Sequence, residues 1–205
     1  MLETPRYNLK GREEVYEPSE DTFLFLDALE KEMPFLKNLG VEFAVEIGSG
    51  SGVVITALAS FLACACFATD INPEACQATA ETAVLNGRKV DCVNMDLLGA
   101  FRNRLFDVLL FNPPYVVTDP CEVVGNGLNR AWAGGFHGRQ VTDKVLSTLD
   151  LLLSEKGVCY MVLLKENNIQ EIQRFMNENN FKSDVILERK LRGEHLYVVK
   201  FSRIL

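Results

Sequence analysis

Between 41 and 62 a strand-like run, a glycine-rich turn and a helix-like run follow one another, and the alternation begun there constrains the whole fold. Residues 41–47 read as a strand, 51–62 as a helix, and 64–69 as a second strand ending at Asp70. Asn72 and Pro73 suit the cap and first position of the next helix, which runs to about Asn86. Strands follow at 90–95 and 106–111, then an irregular stretch to 138, a helix at about 140–154 and a strand at 157–164. A helix at 168–179 precedes two strands near 184–188 and 195–201. Repeated strand–helix units bury a parallel sheet beneath helices on both faces. The last two strands have no long helix between them and are expected to pair as a hairpin. The fold class is therefore α/β: a doubly wound, seven-stranded, mostly parallel sheet with one antiparallel strand. Ligands of such sheets bind at the carboxyl ends of the strands, where strand order reverses.

Ahead of the first strand, Ser19 with Glu20 and Asp21 marks a helix start. Phe23, Leu26, Leu29 and Met33 then recur at helical spacing, up to a break expected at Pro34. Residues 1–15 read as a flexible arm, and 16–205 as one domain with an insertion at about 116–138. The polar start does not read as a signal peptide. Residues 47–69 lack charge, but their glycines, hydroxyls and turn argue against a membrane span.

Hydrophobic residues make up 48% of the 205, which excludes a disordered chain. The formal charge of −7, from 21 Lys+Arg against 28 Asp+Glu, disfavours a phosphate grip and hence autonomous nucleic-acid binding. Six scattered cysteines without a C-x-x-C pair, and two histidines, leave no expected metal site in this chain. Cys64 and Cys66 read as small apolar packing. Reduced thiols fit the cytoplasm, with the nucleus as a second compartment.

The chemistry is expected at four strand ends. Glu46-Ile-Gly48-Ser-Gly50-Ser-Gly52 ends the first strand, and its glycines permit a tight turn with close ligand approach. It is neither the dinucleotide G-x-G-x-x-G, since Val53 occupies the third glycine's place, nor a phosphate-cradling loop. Asp70, about twenty residues on, can accept from two ribose hydroxyls, or simply cap the following helix. Asp96 can accept from an adenine amino group while Leu97 packs on the ring. Asn112-Pro113-Pro114-Tyr115 ends the fourth strand. Its prolines hold the backbone extended and leave carbonyls free. The Asn oxygen beside such a carbonyl makes two acceptors for one planar NH₂ group, with Tyr115 as a stacking face.

This constellation resembles the class I S-adenosylmethionine-dependent methyltransferases, whose sheet is Rossmann-like, and among them the HemK-like protein-glutamine N5-methyltransferases. The resemblance runs from about Val15 to Phe201. It includes Tyr16-Glu-Pro-Ser-Glu-Asp-Thr22, the Glu46–Gly52 turn, Asn112–Tyr115, and Ala131-Trp-Ala-Gly-Gly135 with Gly138-Arg139. It is strongest to the eukaryotic and archaeal branch, which modifies the Gly-Gly-Gln glutamine of the class 1 translation termination (release) factor. What the resemblance implies is cofactor binding by Thr22, Glu46, Gly48, Gly50, Asp70, Asp96, Leu97 and Asn112. Catalysis falls to Asn112, Pro113 and Tyr115, with Pro114 and Trp132 joining Asn112 and Tyr115 at the substrate. It also implies a heterodimer with a small zinc-binding activator subunit.

In the expected mechanism the Asn112 oxygen and the Pro113 carbonyl accept both N–H groups of the glutamine amide, so that positioning carries most of the rate. Trp132, Gly134 and Gly135 are expected to wall a narrow substrate loop, although Trp132 can equally be read as a satellite core. His137 reads as a surface residue, and Lys165–Asn168 as helix capping outside the site. The strand 90–95 is expected at a sheet edge, where strand addition would seat the activator. Adenine-N6 methylation of DNA or RNA is the main alternative, because that amino group has the same planar geometry. Lysine methylation as a second activity stays open. A nicotinamide oxidoreductase leaves Asn112–Tyr115 unexplained, and a noncatalytic binding module leaves every chemical position without a use.

Overall fold

The computed structural model describes residues 2–123, 129 and 131–204. Seven strands form one sheet: β1 (Phe43–Ile47), β2 (Ala65–Asp70), β3 (Asp91–Asn94), β4 (Phe106–Phe111), β5 (Leu153–Leu164), β6 (Phe181–Lys190) and β7 (His195–Arg203). Their order is β3-β2-β1-β4-β5-β7-β6. Strands β1 to β5 pair in parallel, and β7 runs antiparallel to both β5 and β6, so the expected hairpin and single reversed strand are both present.

Alternation along each central strand divides the core into two faces. Val108, Leu110, Val158, Tyr160 and Val162 meet α1 (Glu20–Leu39), α2 (Val53–Phe61) and α3 (Pro73–Leu85) on one side. Leu109, Phe111, Cys159, Met161 and Leu163 meet helices further along the chain on the other. Those are α5 (Gln140–Leu152) and α6 (Ile169–Glu178); the four-residue α4 (Pro120–Val123) lies in the insertion. The uncharged segment 47–69 resolves into a strand end, a turn, α2 and β2. Among the described residues, no helix is long and apolar enough to cross a membrane.

Two expectations change. Helix α1 does not break at Pro34 but continues to Leu39, and Gly40 closes it in the left-handed conformation at φ 65°. Leu36, fully buried, packs that last turn onto the core, which outweighs the hydrogen bond a proline removes. Residues 2–15 contain no helix or strand, yet they are a strap rather than a free arm. Arg12 forms a bidentate pair with Glu81 at 2.6 and 2.9 Å, and the Arg6 N–H donates to Asn86. Leu9 and Val15 pack on Ala75 and Ala78 of α3. The Asn72 side chain caps α3 by accepting the Glu74 N–H, as its sequence predicts, and donates to the Glu14 carbonyl of the strap.

Strand β1 lies between β2 and β4, with Ile47 opposite both Thr69 and Phe111. The chain leaves β1 toward one side of the sheet and reaches β4 on the other, so the loops after these two strands part. A cleft opens between them.

Candidate active site

A cavity of about 620 Å³ occupies that cleft. Thr22, Glu46, Gly48, Asp70, Asp96, Leu97, Asn112 and Pro114 line it, so eight of the expected positions converge from five separate stretches of chain. Among the described residues, five that line it are acidic (Glu14, Asp21, Glu46, Asp70, Asp96) and one, Lys144, is basic. Strap residues Glu14, Val15 and Tyr16 close one side.

Each carboxylate is held differently. Glu46 is 2% exposed, and its Oε2 accepts the Ile55 N–H at 2.9 Å. Burial pushes its carboxyl well above the ordinary carboxylate range, only partly opposed by that bond. Asp70 accepts from two turns at once: Gly50 N–H on Oδ2 and Asn72 N–H on Oδ1, both at 2.9 Å. The helix cap is Asn72 rather than Asp70, and with about four acceptor directions the Asp70 carboxylate keeps capacity for a ligand. Burial raises the Asp70 carboxyl, and the backbone N–H bonds oppose the shift. Gly50 serves through this bond and is not itself on the wall. Leu97 holds φ 53°, a left-handed conformation unusual for a bulky side chain, and it does so at the cavity.

The third glycine of the turn has a different reason. Gly52 has φ 74°, and a Cβ there would meet Thr79 Cα at 2.5 Å, so its job is close approach of α3. The Ser49 and Thr79 hydroxyls, 2.8 Å apart, complete that contact.

Beyond β4, the Asn112 amide nitrogen donates to Asp21 Oδ2 at 2.9 Å, whereas its buried Oδ1 has no hydrogen-bond partner among the described residues. Tyr115 differs from expectation: it is buried, off the cavity wall, and its hydroxyl donates to the same Asp21 Oδ2 at 3.2 Å. Through that bond it supports the site from beneath. Pro113, between the lining residues Asn112 and Pro114, is buried.

The insertion folds back onto this turn, with residues 124–128 and 130 outside the described region. Val116 N–H donates to the Trp132 carbonyl and Gly134 N–H to the Val116 carbonyl. Ala131 and Ala133 reach the cavity; the half-buried Trp132 side chain does not, so its contribution to the wall is this backbone bond. His137 is exposed, as expected.

Two site residues escape the sequence reading. Asp21 registers there as a first-turn helix acid and as a member of the Tyr16–Thr22 block, with no role in the site, yet it is 4% exposed and lines the cavity. Asn167 registers only as a cap. Fully buried, it donates to the carbonyls of Tyr115 (2.8 Å), His137 (3.0 Å) and Gly138 (3.2 Å), and it accepts from Leu164 N–H. It staples the Asn112–Tyr115 turn, the insertion and the end of β5 together. Its signal in the sequence is position, directly after a strand end on the functional rim.

An open, mostly parallel sheet with these carboxylates and an Asn-Pro-Pro-Tyr turn defines a methyltransferase site, and the methyltransferase small domain family matches residues 20–126. The chain belongs to that family. It is similar to methyltransferase HEMK2 of Homo sapiens, 45% identical over 208 residues that cover 98% of this chain and 96% of the human one. It is also similar to the eRF1 methyltransferase catalytic subunit mtq2 of Schizosaccharomyces pombe, 36% identical over 100% of this chain and 97% of that one. Among solved structures, the E. cuniculi Mtq2-Trm112 complex, described as responsible for methylating the eRF1 translation termination factor, matches with TM-score 0.72 and 27% identity. That match covers 93% of this chain and 99% of the solved one.

Proposed function

We propose that this methyltransferase transfers a methyl group from S-adenosylmethionine to the N5 of the Gly-Gly-Gln glutamine of the class 1 translation termination factor. It does so as the catalytic subunit of a heterodimer in the cytoplasm, with the nucleus as a second location. The observation that carries the substrate chemistry is the Asn112 Oδ1, a buried acceptor without a partner among the described residues, at the wall of an acidic cavity. The relatives named for eRF1 methylation support the choice of protein.

The cavity suits the cofactor. Among the described lining residues, five acids against one lysine favour a ligand bearing sulfonium and ammonium charges over a dinucleotide pyrophosphate. Asp70 would hold the ribose hydroxyls, Asp96 and Leu97 the adenine, and Thr22, Glu46 and Gly48 the remainder. Bound there, S-adenosylmethionine supplies an electrophilic methyl on a positive sulfur. The amide nitrogen of glutamine is a weak nucleophile, so this chain must orient it. Asn112 Oδ1 accepts one N–H and the Pro113 carbonyl the other, which directs the nitrogen lone pair into the cavity. The oxygens stabilise positive charge developing on that nitrogen.

The partner is a small zinc-binding activator seated on β3. This edge strand is short and exposes Val93, and α3 packed beside it exposes Val84 and Leu85. An added strand would pair the outward amides and cover that apolar surface.

The test is transfer of labelled methyl to termination factor, its Gln→Ala variant, histone and DNA oligonucleotides, with and without activator. Label on the factor alone is expected. Equal label on the Gln→Ala variant rejects the glutamine assignment, and label on DNA favours the adenine reading.

A further inference from the structure

We propose that Asp21 is a positioning residue that dictates which end of the Asn112 amide faces the substrate. The inference rests on the role proposed for Asn112. Asp21 stands in the first turn of α1. Its Oδ1 accepts the Thr22 N–H at 2.7 Å, with the Tyr16 hydroxyl at 3.4 Å. Its Oδ2 accepts both the Asn112 amide and the Tyr115 hydroxyl, at 2.9 and 3.2 Å.

The two ends of an amide are nearly identical in shape, so packing alone selects neither. An ionised carboxylate only accepts. The NH₂ end of Asn112 must therefore face Asp21, and the oxygen end must face away. Turned over, Asn112 would set oxygen against oxygen beneath and present a donor above. A donor cannot receive the N–H of a substrate amide. The orientation leaves Oδ1 unpaired among the described residues, which is unfavourable for a buried acceptor, and an incoming N–H removes that penalty. Asp21 thus holds the site ready for a planar NH₂ before the substrate arrives. Tyr115 assists by fixing Oδ2.

The experiment pairs Asp21→Asn with the exchanged double variant D21N/N112D, studied with activator and termination factor. In D21N the amide at position 21 can either donate or accept, so Asn112 is free to turn over. Turnover is expected to fall at least 100-fold, while KM for the factor and Kd for the cofactor stay within threefold. In the double variant a carboxylate at position 112 accepts from the new amide and keeps one oxygen toward the substrate. At least tenfold recovery over D21N is expected, which a merely structural role for Asp21 would not produce. A second readout needs no activity: the Asn112 side-chain amide protons should resist solvent exchange in the wild type and exchange at least tenfold faster in D21N.

Turnover of D21N within threefold of wild type, absence of recovery in the double variant, or unchanged side-chain exchange overturns the proposal. If the wild type leaves glutamine unmodified while the exchange difference persists, the functional reading fails and the orientation by Asp21 stands.

Discussion

At the scale of single residues, the site is a set of acceptors kept short of donors. Glu46 illustrates what this costs. In the unfolded chain it ionises above its ordinary value of 4.5, but burial resists ionisation in the fold. The folded state is therefore penalised as pH rises above that value, and the penalty is absent below it. Glu46→Gln keeps an oxygen for the Ile55 N–H and removes the charge. Its melting temperature in cofactor-free protein should exceed the wild type's at pH 7, with the gap closing as pH falls toward 4.5. Calorimetry should show at least tenfold weaker cofactor binding by the same variant. Equal melting temperatures at pH 7 would refute the account of Glu46.

The same scale shows where residue types can be read and where they cannot. Asp70, Asp96 and Asn112 are legible because each ends a strand and carries chemistry that a packed core has no use for. Asp21 is not: its partner Asn112 lies 91 positions away, and a first-turn acid has an adequate local explanation. The sequence places Tyr115 in the turn but does not show that its hydroxyl turns inward to donate to the buried Asp21 carboxylate.

At the scale of elements, turns and loops set the geometry more than helices do. Gly52→Ala would force a left-handed φ onto a residue with a Cβ and drive that Cβ against the α3 backbone. A loss of about 2 kcal/mol is the expected minimum, which for a chain of this size is roughly 4–8 °C in melting temperature. Asn167→Ala tests the staple between the catalytic turn and the insertion. It leaves the Leu164 N–H and three carbonyls without their partner. KM for the protein substrate should rise at least tenfold while cofactor Kd moves less than threefold, because the staple supports the substrate wall. A matched rise in both would place Asn167 in the general framework instead. Element positions were legible from hydrophobic period and capping, as at Asn72–Pro73. The course of α1 past Pro34 and the strap along α3 were not, since both depend on surfaces contributed by other segments.

At the scale of the whole molecule, the sheet order places the cofactor cleft at its centre and leaves β3 bare at one edge. Hydrogen exchange of the outward amides of 91–94 should slow at least tenfold when the activator is added, with β6, the opposite edge, unchanged. Slowing at β6 alone would move the interface to the other end of the sheet. The net charge of −7 also gains a partial explanation, since five of the acids face the cavity.

The amino-acid sequence by itself determined the alternating elements, the two-faced sheet, the family and the chemical types at the strand ends. These follow from local periodicity and from short motifs whose residues are near neighbours in the chain. Only the tertiary structure decided that Asp21 and Tyr115 meet beneath Asn112, that Asn167 binds two loops, and that Glu14 and Val15 at the end of the strap line the site. Such contacts join segments tens of residues apart, and which donor finds which acceptor is settled by how the helices pack on the sheet.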